Sequence, residues 1–213
     1  AWGVTVRGWA GAEETVIDAG GEGSVFVGGN PDRDGELRDP ERGQARLLGL
    51  TLTGASHSAV RLFGSSPEII DCVITGNASG RGAGIYCDYS SSPTVLNTRL
   101  AGNTAIYDGG GIYCNHGSCP TLSRVVLEGN EATSSTGEGG GLSCEGDASP
   151  VLIDVTFTSN TAYRGGACYL GGSAAVSFDD VLFQYNSADY GGALACAYGG
   201  SASTPTLDGL AAE

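Results

Sequence analysis

A phrase that recurs five times at 26-, 27-, 30- and 26-residue spacing, apolar columns of period two within each copy, and a glycine cluster at a fixed place in each copy predict an all-β chain. The architecture that satisfies all three is a right-handed parallel β-helix of about seven coils, with three short strands per coil. The whole of 1–213 reads as one such domain, interrupted by an acidic loop insertion at 29–43. No coil of this kind buries its own apolar face, so stacking of neighbours at about 4.8 Å is what makes it stable.

In chain order, the first 64 residues carry the pattern loosely. Segments 4–6, 15–17, 25–27, 48–52 and 59–63 read as strands of two shorter coils. The regular part is marked by Asn77, Asn103, Asn130, Asn160 and Asn186. Eight residues before these stand Ile69, Val95, Leu122, Leu152 and Phe178; three before stand Ile74, Leu100, Leu127, Phe157 and Phe183. Five before stand Cys72, Thr98, Val125, Val155 and Val181, in step with the last column, as in a half-buried strand. Six before, Asp71, Asn97, Arg124, Asp154 and Asp180 are all polar and mark a bend between two strands. The phrases 82–87, 109–114, 139–144, 165–170 and 191–196 open on glycine and continue into a third strand, with Ile85, Ile112, Leu142, Cys168 and Leu194 inward. The asparagine column is expected to be a structural ladder, because buried amides must find partners in the next coil.

Four features are candidates for chemistry. In the insertion, Asn30, Asp32, Asp34, Glu36 and Glu41 have the spacing of a twelve-residue calcium loop, with Gly35 at its sixth place. Asn at the first place and Pro40 where a helix would start depart from that pattern, and a solvated acidic loop neutralised by Arg33, Arg38 and Arg42 is the competing reading. Of seven cysteines, Cys87, Cys114, Cys144 and Cys196 share one inward column and read as a packing ladder. Cys119, five residues after Cys114, is a candidate to close a disulfide with it, and Cys114, His116 and Cys119 are a weaker metal set. Tyr86, Tyr113 and Tyr169 share an outward column, flanked by Tyr89, Tyr107, Tyr163 and Tyr190; these seven are expected to form either a strip on which sugar rings stack or a stack that only stabilises the sheet.

Catalysis has little support in the residue pattern. The two histidines, His57 and His116, stand in no nucleophile or base motif, there is no lysine, and the one adjacent acid pair, Asp179–Asp180, includes a bend residue. The net charge of −14 argues against nucleic acid and anionic lipid as partners, and no apolar run is long enough for a membrane span. Neither end reads as a polar cap. An excerpt of a longer chain, or ends covered by partners or by copies of the chain, are both expected.

The tetrapeptides Phe157-Thr-Ser-Asn160 and Phe183-Gln-Tyr-Asn186, each followed by Gly-Gly-Ala, resemble repeats of chlamydial polymorphic outer-membrane proteins. Residues 1–210 more broadly resemble the pectate-lyase-like right-handed β-helix superfamily, whose members are secreted or surface proteins and include lyases, hydrolases and adhesins. The function expected is therefore a non-catalytic exported module for surface display, adhesion or scaffolding, secreted or on the cell surface, with a glycan or protein partner and calcium as a candidate cofactor. A polysaccharide lyase or glycoside hydrolase of the β-helix type is the alternative.

Overall fold

The computed structural model describes residues 4–29, 45–197, 206–208 and 211–212. Within them all regular structure is β-strand, and every strand pairs in parallel with a strand of a neighbouring coil. Three sheets form the sides of a solenoid: a 13-stranded sheet, a 7-stranded sheet and a 5-stranded sheet. The acidic 30–41 segment, with Asn30, Asp32, Asp34, Glu36 and Glu41, lies outside the described residues. No helix among the described residues is long and apolar enough to cross a membrane.

The widest sheet is folded along the polar column. Asp71, Asn97, Arg124, Asp154 and Asp180 all take left-handed backbone angles, with φ of 54, 48, 51, 54 and 50°. Asp and Asn tolerate this region better than most side chains. In the lower coils the bend separates two strands, Glu68–Ile70 from Val73–Thr75 and Thr94–Leu96 from Arg99–Ala101. Above them the backbone runs through it as single strands, Thr121–Glu128, Val151–Thr158 and Ser177–Gln184.

Two expectations need correction. The span 48–52 is not one strand: Gly49, at φ +60°, occupies the bend and separates Arg46–Leu48 from Thr51–Thr53. And five turns, not seven, have all three sides. The 5-stranded sheet is built by residues just after the asparagines, Ala78–Arg81, Thr104–Asp108, Glu131–Ala132, Thr161–Arg164 and Ser187–Tyr190. The two coils before Asn77 contribute no strand to it. These short segments are exposed at alternate positions and lack a run of apolar residues, so period-two apolar patterning does not reveal them.

The core is one continuous column of stacked side chains. Ile69, Val95, Leu122, Leu152 and Phe178 pair in register along one side, and Ile74, Leu100, Leu127, Phe157 and Phe183 along the next. Ile85, Ile112, Leu142, Cys168 and Leu194 close the third. All of these but Leu194 are buried, and the Phe157 and Phe183 rings stack at 5.2 Å.

Asparagine amides cross the coils at one corner. Each Nδ2 donates to the Oδ1 of the asparagine above, at 2.9 Å for Asn77 to Asn103, 2.9 Å for Asn103 to Asn130, 3.0 Å for Asn130 to Asn160 and 2.9 Å for Asn160 to Asn186. The same Oδ1 atoms accept the backbone N–H of the asparagine below, and each Nδ2 also reaches a carbonyl of the coil beneath. The glycine phrase next to this corner is dictated by space: at Gly140 an added methyl would lie 2.4 Å from Thr161 O and 2.6 Å from Gly166 O. Backbone at that distance cannot give way, so coil spacing there depends on glycine.

Candidate functional site

One repeat is longer than the rest. Asn130 and Asn160 are 30 residues apart, and the extra residues leave the solenoid directly after Glu131–Ala132 as a turn in which Gly137 N donates to Ser134 O at 2.8 Å. The chain returns at Glu138, which bridges in parallel to Asp108 on one side and Arg164 on the other. This bulge walls a groove of about 520 Å³ on the outer face of the 7-stranded sheet, lined by Arg81, Tyr107, Asp108, Tyr113, Asn115, Thr136, Glu138 and Glu145.

Register assembles its charges. Arg81 stands opposite Asp108, Asp108 opposite Glu138, and Glu138 opposite Arg164. Arg81 Nε donates to Asp108 Oδ2 at 2.7 Å and Arg164 Nη1 to Glu138 Oε1 at 3.0 Å. The Arg81 guanidinium also lies over the rings of Tyr107 and Tyr113, at 5.5 and 5.6 Å. Glu145 enters from the opposite wall, on the turn after Leu142–Cys144, with its Oε2 close to Gly171. Burial pushes the Glu145 carboxyl up to about 7; the nearby charges of Glu138 and Asp108 and a hydrogen bond to Glu138 add to the effect, and Arg81 opposes it. The Tyr169 hydroxyl also hydrogen-bonds Glu138, and burial raises its pKa to about 12. Glu145 thus stands beside two carboxylates that are each held by an arginine, Asp108 by Arg81 and Glu138 by Arg164.

The seven tyrosines do not lie on one strip. Tyr86 and Tyr113 stack at 5.5 Å, but Ser143 takes the next place in register, between Tyr113 and Tyr169. Tyr113 and Tyr169 are 5% and 6% exposed, so their faces are covered. Burial raises the pKa of Tyr86 and Tyr113, and the Tyr86 hydroxyl donates to Asp88 Oδ2 at 2.9 Å. Tyr89 stacks on His116 at 5.6 Å, and His116 Nδ1 lies 2.6 Å from Asp88 Oδ1. Tyr163 and Tyr190 meet edge to face at 5.3 Å, away from the groove. Tyr107, half exposed, is the ring that the groove presents to solvent.

All seven cysteines are free thiols. Cys87, Cys114 and Cys144 are in register in the core; the thiol of the next coil, together with burial, pushes Cys87 and Cys114 up, and burial raises Cys144 against the opposing effect of the Cys114 thiol. The spacing-based bridge from Cys114 to Cys119 is not formed: Cys114 points inward, while the Cys119 thiol donates to Gly117 O at 3.3 Å. His116 turns to Asp88 rather than to these thiols, and among the described residues no group of three or more His, Cys, Asp or Glu side chains is arranged to hold a metal. Asp179 and Asp180 are exposed, with Asp180 in the left-handed bend.

Residues 43–161 match the family model for the right handed beta helix region, more than half of the chain. The chain belongs to the right-handed β-helix family. Within this β-helix, residues 154–171 also match the Chlamydia polymorphic membrane protein repeat, a segment that spans Phe157-Thr-Ser-Asn160 and the glycine turn after it. Searches of curated proteins and of solved structures found no match. The β-helix positions the groove through three successive coils, and none of its four charged groups has another as a sequence neighbour.

Proposed function

We propose that this β-helix is an exported, surface-displayed module that holds a glycan in the groove at Tyr107, Asp108, Glu138 and Glu145, in an adhesive or scaffolding role. The groove carries the reading: its lining combines an exposed aromatic ring with carboxylates, an asparagine and a threonine, the set of groups that stack on sugar rings and bond their hydroxyls. The surface location rests on the likeness of residues 154–171 to a repeat of polymorphic membrane proteins. Calcium in the 30–41 loop belongs to the same reading as a stabilising ion.

A glycan panel tested by calorimetry addresses it. Binding of at least one oligosaccharide, weakened by Tyr107→Ala with an unchanged melting temperature, is the expected result. Absence of binding across neutral, acidic and amino sugars overturns it.

A second reading, a glycoside hydrolase, is favoured by the Glu145 carboxyl, which burial pushes up to about 7, beside the carboxyl of Glu138. Against it, the second carboxylate is already engaged: Glu138 Oε1 accepts from Arg164 Nη1 at 3.0 Å. Reducing ends released from the bound oligosaccharide, and lost in Glu145→Gln, would make hydrolysis the function.

A further inference from the structure

We propose that the groove selects glycans bearing a free primary amine, with the ammonium group seated against Glu145 and Glu138. This rests on the glycan reading above and names its substrate class.

The first argument is charge. Asp108 has Arg81 and Glu138 has Arg164, each at ion-pair distance. Glu145 has no ion pair among the described residues. The groups that face it are Asp108, Glu138, Tyr113, Tyr169 and a single cation, Arg81, which is already bonded to Asp108. The groove thus has three carboxyl groups and two guanidinium partners, and it meets the surplus by keeping a proton on Glu145. An incoming ammonium replaces that proton with a charge-assisted hydrogen bond, and its three donors suit a site with acceptors on several sides.

The second argument is independent of the acids. Ser143 Oγ is fully buried and has no hydrogen-bond partner, an uncommon state for a hydroxyl. Ser143 lies between Tyr113 and Tyr169 in register, and the backbone after Glu138 packs against its Cα. Its neighbours Leu142 and Cys144 point into the core, so its hydroxyl points outward, on the side that carries Glu145 two residues on. A hydroxyl with no partner, on the outward side between Tyr113 and Tyr169 and two residues before Glu145, keeps its hydrogen-bonding capacity for a group that the protein does not supply. Tyr107, Asn115 and Thr136 around the mouth suit the hydroxyls of a sugar carrying that amine.

Three β-1,4-linked oligosaccharides of equal length that differ only at carbon 2 provide the test: hydroxyl, acetamido and free amine. Calorimetry is run at pH 6 and physiological salt with the wild type, Glu145→Gln and Glu128→Gln. The last removes the same charge from an exposed pair with Arg99, outside the groove, and so controls for attraction to a chain of net charge −14. The amine form is expected to bind about tenfold tighter than the other two. Glu145→Gln abolishes that preference, so that its affinities for the three forms become equal, whereas Glu128→Gln keeps the preference. Equal affinity of the wild type for all three overturns the amine and leaves the glycan reading in place. A preference that survives in Glu145→Gln also overturns it. No binding by any of the three overturns both.

Discussion

Asn130 is the middle rung of the amide ladder and fully buried, which makes it the place to measure what the ladder contributes. Its Nδ2 donates to Leu100 O and to Asn160 Oδ1, both at 3.0 Å, while its Oδ1 accepts Asn103 N at 3.1 Å and Asn103 Nδ2 at 2.9 Å. Asn130→Ala removes all four bonds, but the damage is smaller than four. Asn103 Nδ2 keeps Ile74 O at 2.9 Å, and Asn160 Oδ1 keeps the backbone N–H of residue 130 at 3.0 Å. What remains stranded is the Asn103 N–H and one acceptor site on Leu100 O, both away from water. At about 1–3 kcal/mol for each buried group left unmet, the expected cost is about 2–6 kcal/mol. Asn186→Ala takes the same two bonds from Asn160, at 2.9 Å each, but Asn186 is only partly buried and water can replace it. Its cost should be about 1 kcal/mol or less. Equilibrium urea unfolding followed by far-ultraviolet circular dichroism measures both. Equal costs for the two variants, or a negligible cost for Asn130→Ala, would refute the view that the ladder stabilises by satisfying dry backbone.

Three further outcomes are expected. Leu127→Ala, between Leu100 and Phe157 in the core, should cost about 2–5 kcal/mol in the same assay; a loss well below 1 kcal/mol would show a core that collapses freely around the gap. Glu145 binds its proton more tightly in the folded chain than in the unfolded one, so its contribution to stability falls as pH rises from about 4.5 through 7. The melting temperature should therefore drop more between pH 5 and pH 8 in the wild type than in Glu145→Gln, and parallel curves would contradict that. If the 30–41 loop holds calcium, chelator lowers the melting temperature of the wild type and leaves Asp34→Ala unchanged; a wild-type melt indifferent to chelator rules the ion out.

Much of the fold is legible because in-register stacking writes the same requirement into every coil. Ile74, Leu100, Leu127, Phe157 and Phe183 occupy one place in space per turn, and so one place in the repeat. The polar bend is legible for the same reason: five residues of different chemistry share a left-handed backbone. What stays hidden is structure whose stability comes from backbone pairing alone. The strands Ala78–Arg81 and Ser187–Tyr190 carry no apolar pair that faces the core, and their ladder hydrogen bonds run to other coils rather than along the sequence. Gly49 hides the bend between Arg46–Leu48 and Thr51–Thr53 because glycine interrupts a strand without changing the apolar spacing on either side.

The groove eludes a search for adjacent acids for a physical reason. Arg81, Asp108 and Glu138 are separated by 27 and 30 residues and meet because coil stacking sets residues one turn apart side by side. In a solenoid, neighbourhood is measured in turns, and the adjacent pair Asp179–Asp180 is scattered by the same geometry: one side chain lies on a strand and the next on a bend. The signal that does survive in the sequence is the irregular spacing. A repeat that holds 26 or 27 residues and then spends 30 must put the surplus outside the stack, since every inward place is already taken. The surplus of three or four residues lies in the turn closed by Gly137 N and Ser134 O, ahead of Glu138, which is back in register with Asp108 and Arg164; the turn carries Thr136 to the mouth of the groove. Deleting the bulge, to restore a 26-residue turn, should therefore spare the fold and remove the groove. A shortened chain with an unchanged circular dichroism spectrum that still bound its glycan would separate the two and disprove the link between the insertion and the site.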